Sequence, residues 1–236
     1  MNFIEHICEP RKLILCWQNP GEKQRTRFAI AELLRNGDKY SFKYLKDTED
    51  FERAEQLGFT MYPAFRTQQE LYTSGVFEAF TRRIPPRNRN DFTEYLQNFR
   101  IQEDAKISNF ALLGYTGAKL PSDGFSIVDS FENICVPCEF LIELVGTRYI
   151  TNFDLSVFKV GDFIELIKEP NNQYDPNAIF AMSKGQKIGY INRVQVNAFQ
   201  NWLACDKLYL SLNIERINGN EERPVIYAFL RLAKKD

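Results

Sequence analysis

Lys168–Ile179, with the sequence KEPNNQYDPNAI, is the most informative stretch of this 236-residue chain. Its Pro, Asn and Asp residues indicate a loop, because these residue types favour turns. The apolar residues on either side of the loop are typical of two strands. Such a loop has several polar side chains able to bond a ligand, and we expect the function of the protein to depend on it.

The sequence around this loop alternates between short apolar runs and turn signals, which predicts many short strands. Val196, Phe199 and Leu203 share one helical face, so a single helix interrupts them. A run of short strands with one or two helices favours a small barrel. The strands are predicted over 135–145, 162–169, 178–182, 187–191, 207–217 and 225–232, and the helix over 192–204.

The amino-terminal half combines strands with several helices. Ser74 is a predicted helix cap before Phe77, Phe80 and Ile84, and Asp91 begins a possible capping box. The half therefore reads as a second small domain, and the boundary between the two domains is predicted near 128–134. Strands are predicted over 12–17, 24–30, 39–45 and 124–128, and a further helix over 107–113. The expected fold class is α+β, with two β-barrel-like domains over 1–130 and 131–236.

The charge of the chain limits its partners. It has 30 basic and 31 acidic residues and a net charge of −1. A protein that coats long nucleic acids electrostatically is usually far more basic, so that class is excluded. The apolar runs are too short to cross a bilayer, and the first residues lack a secretory layout. We expect a cytoplasmic protein with no membrane contact.

Five cysteines and one histidine restrict metal and redox chemistry. Cys135 and Cys138 form a Cys-x-x-Cys pair, but a structural zinc needs four ligands and His6 is the only histidine. The odd number of cysteines favours reduced thiols. We therefore expect buried strand cysteines, with no metal and no cofactor.

Two further blocks flank the loop: VGTRY at 145–149 and KIGYI at 187–191. Together with Lys168–Ile179 they resemble the HIRAN domain over about 134–232. HIRAN is a compact barrel related to OB-folds, found at the amino end of some DNA helicase-like ATPases and in small bacterial proteins. The resemblance implies binding of single-stranded DNA, in the best understood members through a free 3′ end.

The resemblance also implies which residues would contact DNA. Arg148 and Arg193 would contact backbone phosphates, and Tyr149 would meet the last nucleotides. Three loop residues would line the pocket for the strand end: Asn172, Tyr174 and Asp175. A carboxylate accepts a hydrogen bond from a terminal hydroxyl but repels a phosphate, so Asp175 would favour a free 3′ hydroxyl.

Two positions depart from the family pattern. Ile150 stands where DNA-binding members tend to have a second aromatic residue. Tyr190 stands where the best known member has a histidine, and it could stack on a base or simply pack. The loop residues also have a purely structural interpretation, because Asx side chains are suited to holding a loop's own backbone.

Residues 12–129 resemble the small amino-terminal domain of HipA-type toxin kinases. The parallels are LILCWQN at 13–19, YSFKY at 40–44, GVFEAF at 75–80 before IPP at 84–86, and FALLG at 110–114. The resemblance implies an interaction module that contacts a protein partner of the toxin or kinase type. The chain has no kinase motifs, so phosphoryl transfer is not implied. The basic cluster Arg82, Arg83, Arg87 and Arg89 could extend a nucleic-acid path or complement a helix end.

Three functions are compatible with the sequence. The first is a non-enzymatic protein that binds a single-stranded DNA end and contacts a protein partner, in DNA repair, phage defence or toxin control. The second is a protein–protein module of a toxin–antitoxin or phage-defence system that no longer binds DNA. The third is a metal-dependent nuclease, for which converging carboxylates are required. The candidates for that third role are Asp162, Glu165, Glu169 and Asp175.

Overall fold

The computed structural model describes residues 2–19, 21, 26–120, 123–150, 154–220 and 224–235. The chain divides into two compact units. The amino-terminal unit contains Cys8–Leu96 and Asp104–Ile134. The carboxy-terminal unit contains Met1–Ile7, Gln97–Glu103 and Cys135–Asp236. Both units are therefore discontinuous in sequence, whereas the sequence analysis predicted continuous domains over 1–130 and 131–236.

One antiparallel sheet organises the amino-terminal unit, with the strand order β3-β2-β1-β4. Its strands are β1 (Lys12–Trp17), β2 (Phe28–Asn36), β3 (Lys39–Tyr44) and β4 (Phe125–Val128). The first residues of the strand predicted over 24–30 lie outside the described residues. The sheet is open in the part of the chain described, so the prediction of a barrel-like domain in this half is not confirmed.

Four helices accompany the strands of the first half: α1 (Glu49–Gln56), α2 (Val76–Thr81), α3 (Phe92–Asn98) and α4 (Asn109–Thr116). α1 was not predicted, because only Phe51 and Ala54 interrupt its charged residues. Its start is capped by Thr48, whose hydroxyl accepts from the backbone N–H of Phe51. The predicted cap at Ser74 is wrong: Gly75 occupies the N-cap of α2 in a left-handed conformation.

An aromatic cluster forms the core of this unit and explains part of the high phenylalanine content. Phe42 is fully buried. Its ring centroid lies 4.8 Å from that of Tyr44, 4.7 Å from that of Phe65 and 5.7 Å from that of Phe80. Aromatic pairs at these separations contribute beyond their area burial. These rings are therefore used for packing.

The basic cluster predicted around Pro85 and Pro86 is largely committed to intramolecular contacts. Arg83 is 6% exposed and donates to both carboxylate oxygens of Asp123 at 2.8 and 3.0 Å. Arg87 donates to a backbone carbonyl and a side-chain amide. Arg89 pairs with Asp91. Arg83 therefore supports the fold, whereas Arg82, Arg87 and Arg89 are exposed.

Two three-stranded antiparallel sheets, β5-β10-β9 and β6-β7-β8, build the carboxy-terminal unit. One helix, α5 (Val196–Leu203), follows β8. The strands are β5 (Cys138–Glu143), β6 (Glu165–Lys168), β7 (Ile179–Ser183), β8 (Gln186–Tyr190), β9 (Leu208–Asn218) and β10 (Val225–Lys234).

Isolated bridges connect the two sheets on both sides. Val145, just after β5, bridges Tyr190 of β8, and Phe163, just before β6, bridges Asn213 of β9. The strands therefore follow one another in a barrel-like ring. Within the described residues the regular ladders do not close the ring, so the predicted barrel is barrel-like and not fully closed.

The two amino-terminal segments of this unit are attached through a buried carboxylate. Glu215 of β9 is 3% exposed and accepts from Arg100 Nε at 2.7 Å and from Asn2 Nδ2 at 2.7 Å. The backbone N–H of Ile4 donates to the carbonyl of Arg100 at 2.7 Å. These contacts make residues 2–7 and 97–103 part of the carboxy-terminal unit.

The structure also bears on the predictions about the cysteine pair, metal binding and membrane-spanning segments. Cys138 is buried at the start of β5, but Cys135 is exposed and precedes the strand, so the prediction of two buried strand cysteines is wrong for Cys135. Among the residues that the structure describes, no group of three or more His, Cys, Asp or Glu side chains could hold a metal ion. In the same residues no helix has the length and apolar character needed to span a membrane.

Candidate nucleic-acid interface

The three sequence blocks meet at Tyr190. Val145, in the first block, exchanges two backbone hydrogen bonds with Tyr190 at 2.9 and 2.8 Å. The Lys168–Ile179 block is joined to the third block because the backbone N–H of Ile191 donates to the carbonyl of Ile179 at 2.9 Å. Residues more than 40 positions apart therefore assemble into one region of the barrel-like unit.

Gly189 permits this close approach. Its φ of 153° is one that side-chain-bearing residues rarely adopt. A Cβ at this position would lie 3.0 Å from Leu144 Cβ, 3.1 Å from the carbonyl oxygen of Val145 and 3.2 Å from Thr147 Cγ2. The Gly in the third block is thus required for the packing of the first block against β8.

Asn172 organises the loop from within. Its side-chain oxygen accepts from the backbone N–H groups of Tyr174 at 2.9 Å and Asp175 at 3.1 Å. Asp175 in turn accepts at Oδ1 from the backbone N–H of Asn177 at 2.8 Å. The structural role of Asx residues is therefore present, and it fixes where the neighbouring side chains lie. Tyr174 is left 85% exposed.

A hydrogen-bonded cluster joins the loop to strand β8. Glu169 accepts at Oε1 from Lys187 Nζ at 2.8 Å. Its Oε2 accepts from Tyr190 Oη at 3.0 Å and from Asn172 Nδ2 at 2.5 Å. Two of the predicted DNA-binding residues, Asn172 and Tyr190, are thus held by the same carboxylate.

The electrostatics of this cluster keep both partners charged. The hydrogen bond from Lys187, more than those from Asn172 and Tyr190, holds the pKa of Glu169 below its ordinary value. Burial acts to lower the pKa of Lys187, but the hydrogen bonds with Glu169 and Tyr190 outweigh it and raise that pKa. The pair is therefore an ion pair throughout the neutral range.

The other predicted DNA-binding residues lie in short helical turns next to this region. Arg148 and Tyr149 belong to a 3₁₀ helix, Thr147–Tyr149, that follows Val145. Arg148 donates to the Tyr149 hydroxyl, and its guanidinium carbon lies 4.7 Å from the centroid of that ring. Tyr149 is 58% exposed. Arg193 is exposed at the start of the 3₁₀ helix Arg193–Gln195.

A family model matches the chain over residues 138–229, and its description is the HIRAN domain. Residues 138–229 form a HIRAN domain. Part of the chain is similar to two solved structures. The crystal structure of the HIRAN domain of human HLTF has 19% identity and a TM-score of 0.34, covering 41% of this chain and 77% of that one. A protein from Lactobacillus plantarum has 24% identity and a TM-score of 0.33, covering 41% of this chain and 98% of that one. No curated protein matches the chain.

The match confirms the predicted HIRAN domain and does not extend to the amino-terminal half of the chain. The expected resemblance of residues 12–129 to HipA-type kinases gains no support from these comparisons. The seven residues predicted to bind DNA remain predictions, although the structure places them on or beside the three blocks that meet at Tyr190.

Two residues that the structure places beside Tyr190, Lys187 and Phe180, were not among the predicted DNA-binding residues. Lys187 belongs to the third block, KIGYI at 187–191, but the resemblance gave it no role. Glu169 was considered only as a possible metal ligand of a nuclease. Cross-strand pairing brings them together, because Phe180 on β7 faces Tyr190 on β8 and the ammonium of Lys187 lies over both rings. Strand alternation could have suggested the shared face, but a register shift after Ala181 alters the pairing in a way that the sequence does not reveal.

Two of the four carboxylates considered for a metal-dependent nuclease form ion pairs with lysines. Asp162 pairs with Lys184 at 2.7 Å, and Glu169 pairs with Lys187 at 2.8 Å. The pKa of Asp162 is lowered chiefly by the hydrogen bond from Lys184. Two of the four candidate ligands are thus engaged by lysines.

Proposed function

We propose that the protein binds single-stranded DNA through its HIRAN domain and prefers a strand with a free 3′ hydroxyl. The HIRAN domain is a module that binds single-stranded DNA, which supports nucleic-acid binding. The convergence of three polar and aromatic blocks on Tyr190 is the observation that carries the proposal to a particular site. We propose that the protein binds DNA without catalysing a reaction on it. We also propose that the amino-terminal unit contacts a protein partner.

The loop supplies the chemistry for a strand end. Asp175 uses Oδ1 to order the loop, which fixes the direction of its carboxylate. A carboxylate held in this way accepts strongly from a hydroxyl and repels a phosphate. Tyr174 and Tyr149 are 85% and 58% exposed, and base stacking on aromatic side chains tolerates any base. Recognition would then depend on the end of the strand and not on its sequence.

The charge of the second half fits a short footprint. Residues 131–236 contain 12 basic and 13 acidic side chains, a net charge of −1. A site for a strand end contacts a few phosphates, and each neutralised phosphate contributes about −0.7 to the slope of log affinity against log salt. We therefore expect a shallow salt dependence.

Fluorescence polarisation with oligonucleotides that end in a 3′ hydroxyl or a 3′ phosphate tests the proposal. We expect the hydroxyl form to bind about tenfold more tightly, equivalent to about 1.4 kcal/mol. Asp175→Asn keeps an acceptor for the N–H of Asn177 but loses the charge, so it should remove most of the preference. Asp154→Asn is the matched control, because Asp154 is an exposed carboxylate that also accepts from a backbone N–H two residues on, at 2.9 Å.

Equal affinity of the wild-type protein for both ends would contradict recognition of a free 3′ end while leaving DNA binding intact. No affinity for either oligonucleotide would contradict the function as a whole. Loss of labelled oligonucleotide on incubation with magnesium would contradict the proposal of a non-enzymatic role.

A further inference from the structure

The ion pair between Glu169 and Lys187 is exposed enough to rearrange. The two side chains are 29% and 28% exposed. Partly exposed ion pairs contribute little to stability, because water competes for both charges. Glu169 also accepts from Asn172 and Tyr190, so it would stay hydrogen-bonded if Lys187 left it.

Lys187 covers two aromatic rings. Its ammonium nitrogen lies 4.2 Å from the centroid of Tyr190 and 4.6 Å from the centroid of Phe180. Phe180 and Tyr190 are paired across β7 and β8, so both rings belong to one face of the sheet. Both residues are half-buried, with part of each surface open to solvent. Movement of one lysine would expose a paired aromatic surface.

We propose that Lys187 is an exchangeable phosphate contact. When single-stranded DNA binds, a backbone phosphate takes the place of Glu169 as the partner of Lys187. The faces of Tyr190 and Phe180 then become a stacking surface for a base. This inference rests on the proposed function and extends it, since neither Lys187 nor Phe180 belongs to the predicted DNA-binding set.

The chemistry favours this exchange over a fixed role for Lys187. A lysine ammonium binds phosphate as a point charge and keeps its flexible stem, so a small movement is sufficient. The neutral rings beneath it offer sequence-tolerant stacking once the cation has moved. Because Glu169 neutralises Lys187 before binding, the site presents little net charge to other anions.

Salt dependence distinguishes a phosphate contact from a structural lysine. Lys187→Met should weaken binding of a labelled oligonucleotide about three- to tenfold at low salt and reduce the salt slope by about 0.7. Lys184→Met is the matched control: Lys184 lies in the turn between β7 and β8 and pairs with Asp162 at 2.7 Å. That variant should keep the wild-type slope. Glu169→Gln, which removes the competing anion, should tighten binding about two- to fivefold.

An abasic oligonucleotide separates the phosphate contact from the stacking surface. Phe180→Leu should weaken binding of an ordinary oligonucleotide about fivefold or more and leave binding of the abasic one unchanged. Lys187→Met should weaken both. Thermal unfolding of each variant shows whether the fold is kept.

Each outcome bears on a separate claim. If the wild-type protein binds and Lys187→Met keeps the wild-type slope, the exchange is wrong while DNA binding stands. If Phe180→Leu weakens both oligonucleotides equally, the stacking surface is wrong. If the wild-type protein binds no oligonucleotide, the proposed function is wrong and this inference fails with it.

Discussion

Two glutamates of the carboxy-terminal unit have nearly the same chemistry and very different surroundings. Glu215 accepts from Arg100 and Asn2, and Glu169 accepts from Lys187, Asn172 and Tyr190. The side chain of Glu215 is 2% exposed, whereas that of Glu169 is 29% exposed. The two ion pairs therefore differ in burial more than in the types of hydrogen-bond partner, and we expect burial to determine whether the cation can leave its carboxylate.

Both carboxylates are ionised at neutral pH, so charge does not distinguish them. For Glu215, burial acts to raise the pKa, and the hydrogen bonds from Asn2 and Arg100 outweigh it, so the pKa is lowered. For Glu169, the hydrogen bond from Lys187 is the main cause of the lowered pKa. The two carboxylates differ in their hydration once the cation is removed. Glu215 would remain as a buried charge without water, whereas Glu169 would be hydrated.

The largest effect should come from breaking the buried pair. Arg100→Met leaves Glu215 buried without its cation, and such changes cost about 3–5 kcal/mol of the free energy of unfolding. Urea denaturation at neutral pH measures this loss. Arg231→Met is the control, because Arg231 is an exposed arginine that also bonds Asn2, at 2.9 Å. A loss below about 1 kcal/mol in Arg100→Met would show that Arg100 does not fix the amino-terminal segments in place.

A third carboxylate, Asp129 of the amino-terminal unit, sharpens the comparison. Burial raises the pKa of Asp129 to about 6, because the hydrogen bond from the backbone N–H of Phe131 offsets only part of the effect of burial. A group whose pKa is raised on folding adds stability below its ordinary pKa of 3.8 and loses it as the pH rises through 6. At pH 7 the ionised side chain therefore destabilises the folded protein.

Asp129→Asn should stabilise the protein at neutral pH. The amide still accepts from the N–H of Phe131 and carries no charge to bury. The shift from 3.8 to about 6 corresponds to a gain on the order of 3 kcal/mol at most. Urea denaturation of both proteins at pH values above 7 and below 4 measures the difference, which should vanish at the acid end. An equal difference at both ends would contradict a raised pKa in the folded state.

Local pattern predicted most of the strands, but long-range contacts were out of its reach. β1 spans Lys12–Trp17 as predicted, because its apolar run is bounded by a clear turn signal. The attachment of residues 2–7 and 97–103 to the carboxy-terminal unit includes the ion pair between Arg100 and Glu215, which are 115 positions apart. No periodicity in the sequence encodes such a contact.

The candidate site shows the same division. The three blocks were predictable from residue types and order, and the structure brings them together at Tyr190. The role of Glu169 was not predictable, because it depends on which side chain of β8 faces the end of β6. Strand pairing and the register shift after Ala181 determine which side chain faces Glu169, and the local sequence predicts neither of them.

The smallest effect on stability should come from breaking the exposed pair. Glu169→Gln should change the free energy of unfolding by less than about 1 kcal/mol, because water replaces the lost ion pair. The lowered pKa of Glu169 adds stability above its ordinary value of 4.5 and loses it as the pH falls through the folded value, so even this small difference should fade in acid. Asp162→Asn, which breaks the comparable pair with Lys184, is the control for urea denaturation. A loss as large as that of Arg100→Met would mean that Glu169 is held as rigidly as Glu215, and Lys187 would then be a structural residue unable to exchange its partner for a phosphate.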